Sequence, residues 1–168
     1  MVKKVRRQRK TLLVMGEGDC EAAFLQYLRN IYCSDNEGVA VTIRNAQGGG
    51  PVSIVTQVIR HTRLASYDKK IALLDTDLVW SDDLKKTAKD CGILMVGSKP
   101  CLEGLLLGVL KKPAPPISRE CKKLLQSHTK ADMTEWRHYE SHFSKDAFEE
   151  ARNLLSELDK LLRHFEGK

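Results

Sequence analysis

Four short apolar runs, each followed by a stretch of helical periodicity, limit this 168-residue chain more than any other feature. The runs are residues 11–15, 39–43, 71–74 and 93–96. A brief continuous apolar run reads as a strand buried on both faces, the kind that parallel sheets use. The helical stretches between them fall at residues 22–32, 51–64 and 81–89, and a fourth at 100–110 follows the last run. Four strand–helix repeats predict an α/β fold: a doubly wound, mostly parallel four-stranded sheet with right-handed crossovers. The chain is long enough to bury a core of its own.

Beyond the fourth repeat the pattern changes. Residues 111–116 are rich in proline and read as a linker. Residues 118–126 form a short basic helix, and residues 133–143 carry Trp136, Tyr139 and Phe143. Residues 144–165 give the clearest helical stripe, with Phe148, Ala151, Leu155, Leu158, Leu162 and Phe165 three or four apart and Leu154 and Leu161 widening it. The organisation expected is a basic arm over residues 1–10, an α/β domain over 11–110 and a C-terminal helical extension over 111–168.

Charge is unevenly spread. The net charge is +6, from 28 Lys and Arg against 22 Asp and Glu. Six of the basic residues lie in the first ten positions: Lys3, Lys4, Arg6, Arg7, Arg9 and Lys10. Without them the body is neutral. Such an arm can contact phosphates, and equally can be a solvated leader. Five scattered cysteines without a CxxC pair fit reduced thiols in a cytoplasm. No apolar run is long enough to span a membrane. The motifs of the dinucleotide and P-loop phosphate cradles, the kinases, the nucleophile-elbow hydrolases and the RNA-recognition aromatics are missing.

Acids gather where such a fold binds ligands. Open α/β sheets place their sites at the carboxyl ends of the strands. Glu17 stands between Gly16 and Gly18 just past the first strand, with Glu21 at the start of the next helix. Asp75 and Asp77 end the third run, and positions two apart in an extended chain face the same side. Two readings of that pair stand open: loop aspartates, one capping the next helix, or carboxylates whose repulsion a divalent cation relieves. Pro100 is expected to be the first residue of the fourth helix, which puts Glu103 in its first turn as the acid of an apolar segment, with Lys99 as its nearest candidate partner. Arg44 follows the second strand. The triple glycine 48–50 reads as a flexible joint or a phosphate turn. His138 and His142 have the i, i+4 spacing of a helical zinc pair, but position 139 is Tyr and no third ligand is evident, so surface or capping roles are expected.

Taken in order, Glu17-Gly18-Asp19-Cys20-Glu21, the Asp75-Thr76-Asp77 pair and Ser98-Lys99-Pro100-Cys101-Leu102-Glu103 resemble the TOPRIM domain of topoisomerases, primases and OLD-type nucleases, and within it the RloB-like branch. The resemblance spans residues 12–110. It implies a Mg²⁺- or Mn²⁺-dependent site for phosphodiester chemistry on nucleic acid, as in a nuclease or nicking subunit of a bacterial defence system. The metal ligands it implies are Asp75, Asp77, Glu17 and Glu21. Glu17, Glu103 and Lys99 form the expected catalytic set, with Arg44 and the basic arm contacting nucleic acid. RloB-like proteins are associated with an ATPase partner, and a homodimer is compatible with the chain. Two alternatives are a non-catalytic nucleic-acid-binding subunit and a metal-dependent phosphatase or nucleotide-processing enzyme.

Overall fold

A computed structural model of the chain describes residues 8–33 and 38–168. The four apolar runs are its strands: β1 (Thr11–Gly16), β2 (Ala40–Asn45), β3 (Lys69–Asp75) and β4 (Ile93–Ser98). All pair in parallel, in the order β2-β1-β3-β4. The strands reach one or two residues past the apolar runs, because polar residues such as Asn45 and Ser98 still pair with the neighbouring strand. Arg44 therefore lies within β2 rather than after it.

The helices between the strands cover both faces. They are α1 (Asp19–Tyr32), α2 (Gly50–Leu64), α3 (Asp82–Asp90) and α4 (Leu102–Val109). Alternation along the strands divides the core in two. Leu13, Met15, Ala72 and Leu74 pack with α2 and α3 on one face. Leu12, Val14, Ile71, Leu73 and Val96 pack with α1 and α4 on the other. The chain is doubly wound, as the repeats predict. Because α1 and α3 leave on opposite faces, the loops after β1 and β3 part company between two neighbouring strands. That divergence opens a crevice at their carboxyl ends.

Helix ends differ from expectation in instructive ways. Ser81 caps α3, its Oγ accepting from the Leu84 N–H at 3.2 Å. Pro51 sits in the first turn of α2, preceded by Gly48, Gly49 and Gly50, all at positive φ, where a side chain would be strained. Pro100, by contrast, precedes α4 instead of starting it, and Cys101 is the cap.

The extension forms α5 (Ser118–Thr129), α6 (Trp136–Glu140), α7 (Lys145–Ala151) and α8 (Ser156–Phe165). It shares one core with α1 and α4. Tyr139 and Phe148 meet Phe24 and Tyr27 of α1 with ring centroids 5.8–6.2 Å apart, and Phe143 packs on Tyr139 and Phe148 at 5.7 and 6.1 Å. The Tyr139 hydroxyl donates to the Cys20 carbonyl (3.2 Å), fastening the extension to the first turn of α1.

The single helix expected over residues 144–165 is two helices, broken after Ala151. An unbroken helix of that length would run about 33 Å, longer than the sheet it must cover. The break lets α7 pack on α4 while α8 packs on α1 and β4. Leu154 is left 86% exposed, so it does not widen the stripe. The Asn153 amide bonds back to the Glu149 carbonyl, competing with helix continuation. Arg152 holds the corner, bonding to Glu149, Asp159 and Glu166 at 2.8–3.2 Å. Hydrogen bonds from Arg152 hold the Asp159 and Glu166 carboxyls below their usual range. Their contribution is present above the ordinary carboxylate range and is lost as pH falls through the lowered values. Arg152→Met is therefore expected to lower the melting temperature at pH 7 by several degrees and to blunt the fall in stability between pH 5 and pH 3, as thermal melts across pH would show.

His138 lies on α6 and is exposed, its Nδ1 2.6 Å from the Asp132 carbonyl. His142 falls beyond the helix end, so the pair does not share a helical face. Among the described residues no helix is long and apolar enough to cross a membrane.

Candidate active site at the carboxyl ends of β1 and β3

β1 and β3 are neighbours in register, Met15 opposite Ala72. The chain after each therefore emerges into the same crevice. Glu17 follows β1 directly, half-buried. Its carbonyl accepts from the Gly48 N–H at 2.8 Å, so the triple-glycine turn braces the loop that carries it. Glu21, one helical turn on, reaches back to accept from the Gly18 N–H at 3.0 Å. A Cβ on Gly16 would lie 2.4 Å from the Glu21 Cβ, so glycine there lets Glu21 lie across the end of β1.

Asp75 is the last residue of β3, and its Oδ1 accepts from the Leu102 N–H at the start of α4 (3.1 Å). Asp77 lies two residues on, its Oδ2 accepting from the Ser118 hydroxyl of α5 at 2.6 Å. Thr76 points the other way, its Cγ2 2.8 Å from where a Gly97 Cβ would stand. The Pro100 carbonyl accepts from both the Thr76 and Asp77 N–H groups, folding the β4–α4 turn over the end of β3. Gly104 permits that fold: a Cβ there would sit 2.5 Å from the Lys99 carbonyl oxygen. Glu103, in the first turn of α4, completes the cluster.

These carboxylates feel one another. Asp75 is pushed up to about 7, first by burial and then by the charges of Glu21, Glu103, Asp77 and Glu17. Burial, Glu103 and Glu17 raise Glu21 as well. Burial and the Glu103 charge hold the nearby thiols protonated, Cys20 at about 11 and Cys101 at about 12, so neither is a nucleophile. The five carboxylates named in the sequence thus converge on one crevice.

Ser98 adds a further observation. It is fully buried, and its hydroxyl has no hydrogen-bond partner. It is the register partner of Asp75, so both side chains stand on the same face of the sheet. An orphaned hydroxyl beside crowded carboxylates, all hard oxygen donors, is chemistry that suits Mg²⁺ or Mn²⁺. Among the described residues, however, no three His, Cys, Asp or Glu side chains stand close enough together to form a finished metal cage.

The expected cations are distributed differently. Lys99 is exposed and makes no ion pair with Glu103. Lys122 of α5 is exposed and makes no ion pair with Glu103, but the charge of Glu103, with Asp75 and Glu21 adding to it, holds its ammonium above the usual range. Neither Lys122 nor Ser118 is legible as a site residue from sequence, because only the packing of the extension brings α5 to the crevice. Arg44 is exposed near the carboxyl end of β2. Lys3, Lys4, Arg6 and Arg7 lie outside the described residues. Arg9 and Lys10 stand at the opposite rim: Arg9 Nη2 donates to the Val39 carbonyl at 3.2 Å and Lys10 Nζ to the Gly167 carbonyl at 2.9 Å. Six strand residues, about 20 Å, separate that rim from Glu17.

The chain matches no protein-family model, no curated protein and no solved structure.

Proposed function

We propose that the protein carries out Mg²⁺- or Mn²⁺-dependent phosphodiester chemistry on nucleic acid, as a nuclease or nicking subunit of the TOPRIM, RloB-like kind. The observation that carries this reading is the convergence of five carboxylates at the β1–β3 crevice, with Asp75 raised to about 7 by burial and by their mutual charge. Asp75, with Glu17, Glu21 and Asp77 around it, would hold the ion. When bound, it would polarise a phosphate and favour ionisation of a water.

The chain's own groups then have separate tasks. Asp75 is fixed by the Leu102 N–H, so one carboxylate oxygen is positioned and the other is left for a ligand. Glu17, at the mouth between two glycines, is placed to take or return a proton at the attacking oxygen. Glu103 carries further negative charge at the start of α4, where the helix dipole favours it. Arg44 and Lys99, both exposed near the carboxyl ends of their strands, offer charge to a phosphate backbone. The basic residues 9 and 10 stand at the far rim, so a nucleic acid that used both would lie along the strand direction.

The test is incubation of the full chain with single- and double-stranded DNA and RNA under Mg²⁺ or Mn²⁺, beside free nucleotides and model phosphodiesters. Metal-dependent cleavage of a polynucleotide is expected, with Glu17→Gln slowing it at least about a hundredfold. Full activity in Glu17→Gln would remove its assigned role. Turnover confined to the small esters would make the protein a phosphatase or nucleotide-processing enzyme instead.

A further inference from the structure

Ser98 ends β4 and is the register partner of Asp75, which ends β3. Register partners on neighbouring strands stand about 5 Å apart, and these two side chains leave the sheet on the same face. The backbone pins the pair, because the Ser98 carbonyl accepts from the Thr76 N–H at 3.0 Å, directly after Asp75. Ser98 is 0% exposed. Its Oγ is the one buried side-chain oxygen or nitrogen among the described residues without a hydrogen-bond partner. Packing does not ask for a hydroxyl here: alanine would fill the place nearly as well and leave no polar atom bare. Across the register, Asp75 Oδ1 is taken by the Leu102 N–H at 3.1 Å, which leaves Oδ2 as the oxygen that can share a ligand with Ser98. Size then narrows what that ligand is. The Ser98 oxygen is closed to solvent, and a water would need a separation of about 2.8 Å. Mg²⁺ binds oxygen at about 2.1 Å, so an ion held between two oxygens spans about 4 Å. Register partners can offer that span.

We propose that the Ser98 hydroxyl is a further oxygen ligand of the crevice, shared with Asp75 around one small divalent cation. The proposal rests on the metal reading above and adds to it a ligand from β4. Glu17 after β1, Asp75 of β3 and Ser98 of β4 then bring oxygens from three adjacent strands to one ion. A neutral oxygen supplies a ligand without adding to the repulsion among the carboxylates. The hydroxyl left bare by the fold is thereby satisfied when the ion enters.

Two measurements on the full chain, with Ser98→Ala as the variant, test this. The first is metal-free thermal melting at pH 8. Ser98→Ala is expected to melt within about 2 °C of wild type or above it, since no hydrogen bond is lost. The control Ser81→Ala, which removes the hydroxyl that caps α3, is expected to fall by about 3 °C. A fall of more than about 2 °C in Ser98→Ala would show that the hydroxyl is bonded within the fold, and would overturn the proposal. The second is calorimetric titration with Mn²⁺ at pH 8. Ser98→Ala is expected to bind about tenfold more weakly than wild type, while Ser127→Ala, exposed on α5, stays within about twofold of it. A loss smaller than about threefold in Ser98→Ala would remove this proposal alone and leave the carboxylate site standing. No Mn²⁺ binding in wild type would remove the metal reading and the role of Ser98 with it.

Discussion

Asp75→Asn should abolish metal-dependent cleavage, by at least about a thousandfold, and at the same time make the metal-free protein more stable. The two effects have one cause. The Asp75 carboxyl titrates at about 7 in the folded chain, above its ordinary 3.8, because burial and the charges of Glu21, Glu103, Asp77 and Glu17 disfavour its ionised form. Below about pH 3 it is largely neutral whether folded or not, and folding carries no penalty. As pH rises from about 4 to 7 the unfolded chain gives up the proton while the fold retains it, and stability is lost; above 7 the loss is complete. Asn keeps the oxygen that accepts from the Leu102 N–H and never ionises. The expected gain at pH 8 is about 2 kcal/mol once solvent screening of a half-buried group is allowed for, or roughly 4–8 °C. It should shrink as pH falls and vanish below about pH 3. Added Mg²⁺ should raise the melting temperature of wild type at pH 8 and leave Asp75→Asn unmoved. A variant that is less stable than wild type at pH 8 would mean that Asp75 is a structural residue and not a strained ligand.

The second large effect concerns the extension. Cutting the chain after residue 110 is expected to give insoluble or unfolded protein. The cut removes Tyr139, Phe143, Phe148, Leu158, Leu161, Leu162 and Phe165, all fully buried, and strips the faces of α1 and α4 that they cover. Phe24, Leu28, Leu105 and Leu106 would then face water. A single substitution reports the same dependence more gently. Phe148→Ala, at the meeting of Phe24, Tyr27 and Phe143, is expected to cost about 3–5 kcal/mol, a fall of roughly 10 °C. A soluble, cooperatively melting 1–110 fragment would show instead that the α/β unit is self-sufficient.

What the sequence reveals and what it hides follow from the range of the forces involved. Strand and helix identity were legible because apolar runs and their spacing are local. The facing of Asp77 was not, because β3 ends at Asp75 and Asp77 lies in the bend beyond it, held by the Ser118 hydroxyl of α5. The adjacency of β1 and β3, on which the convergence of Glu17 with Asp75 depends, is a pairing between residues nearly sixty positions apart and enters from sequence only as a condition. The break at Arg152 was hidden because the apolar stripe continues across it. What stops the helix is the contest between one straight rod and three packing partners, with Arg152 bonding to Asp159 and Glu166 across the corner. Lys99 looked like the partner of Glu103 because it is near in sequence. Lys122, nineteen positions away, is the lysine whose charged form Glu103 favours, because α5 folds back on α4. Ser98 lay within a motif already in view, but its buried, unpartnered hydroxyl is a property of the packed sheet alone.

The most direct test of the account is a crystal of the wild-type chain soaked in Mn²⁺ and read for anomalous scattering. A peak bonded to Asp75, within reach of Glu17 and Glu21, is the expected result. A crevice without a peak at saturating Mn²⁺, or a peak bound elsewhere with Asp75 and Glu17 left bare, would contradict it.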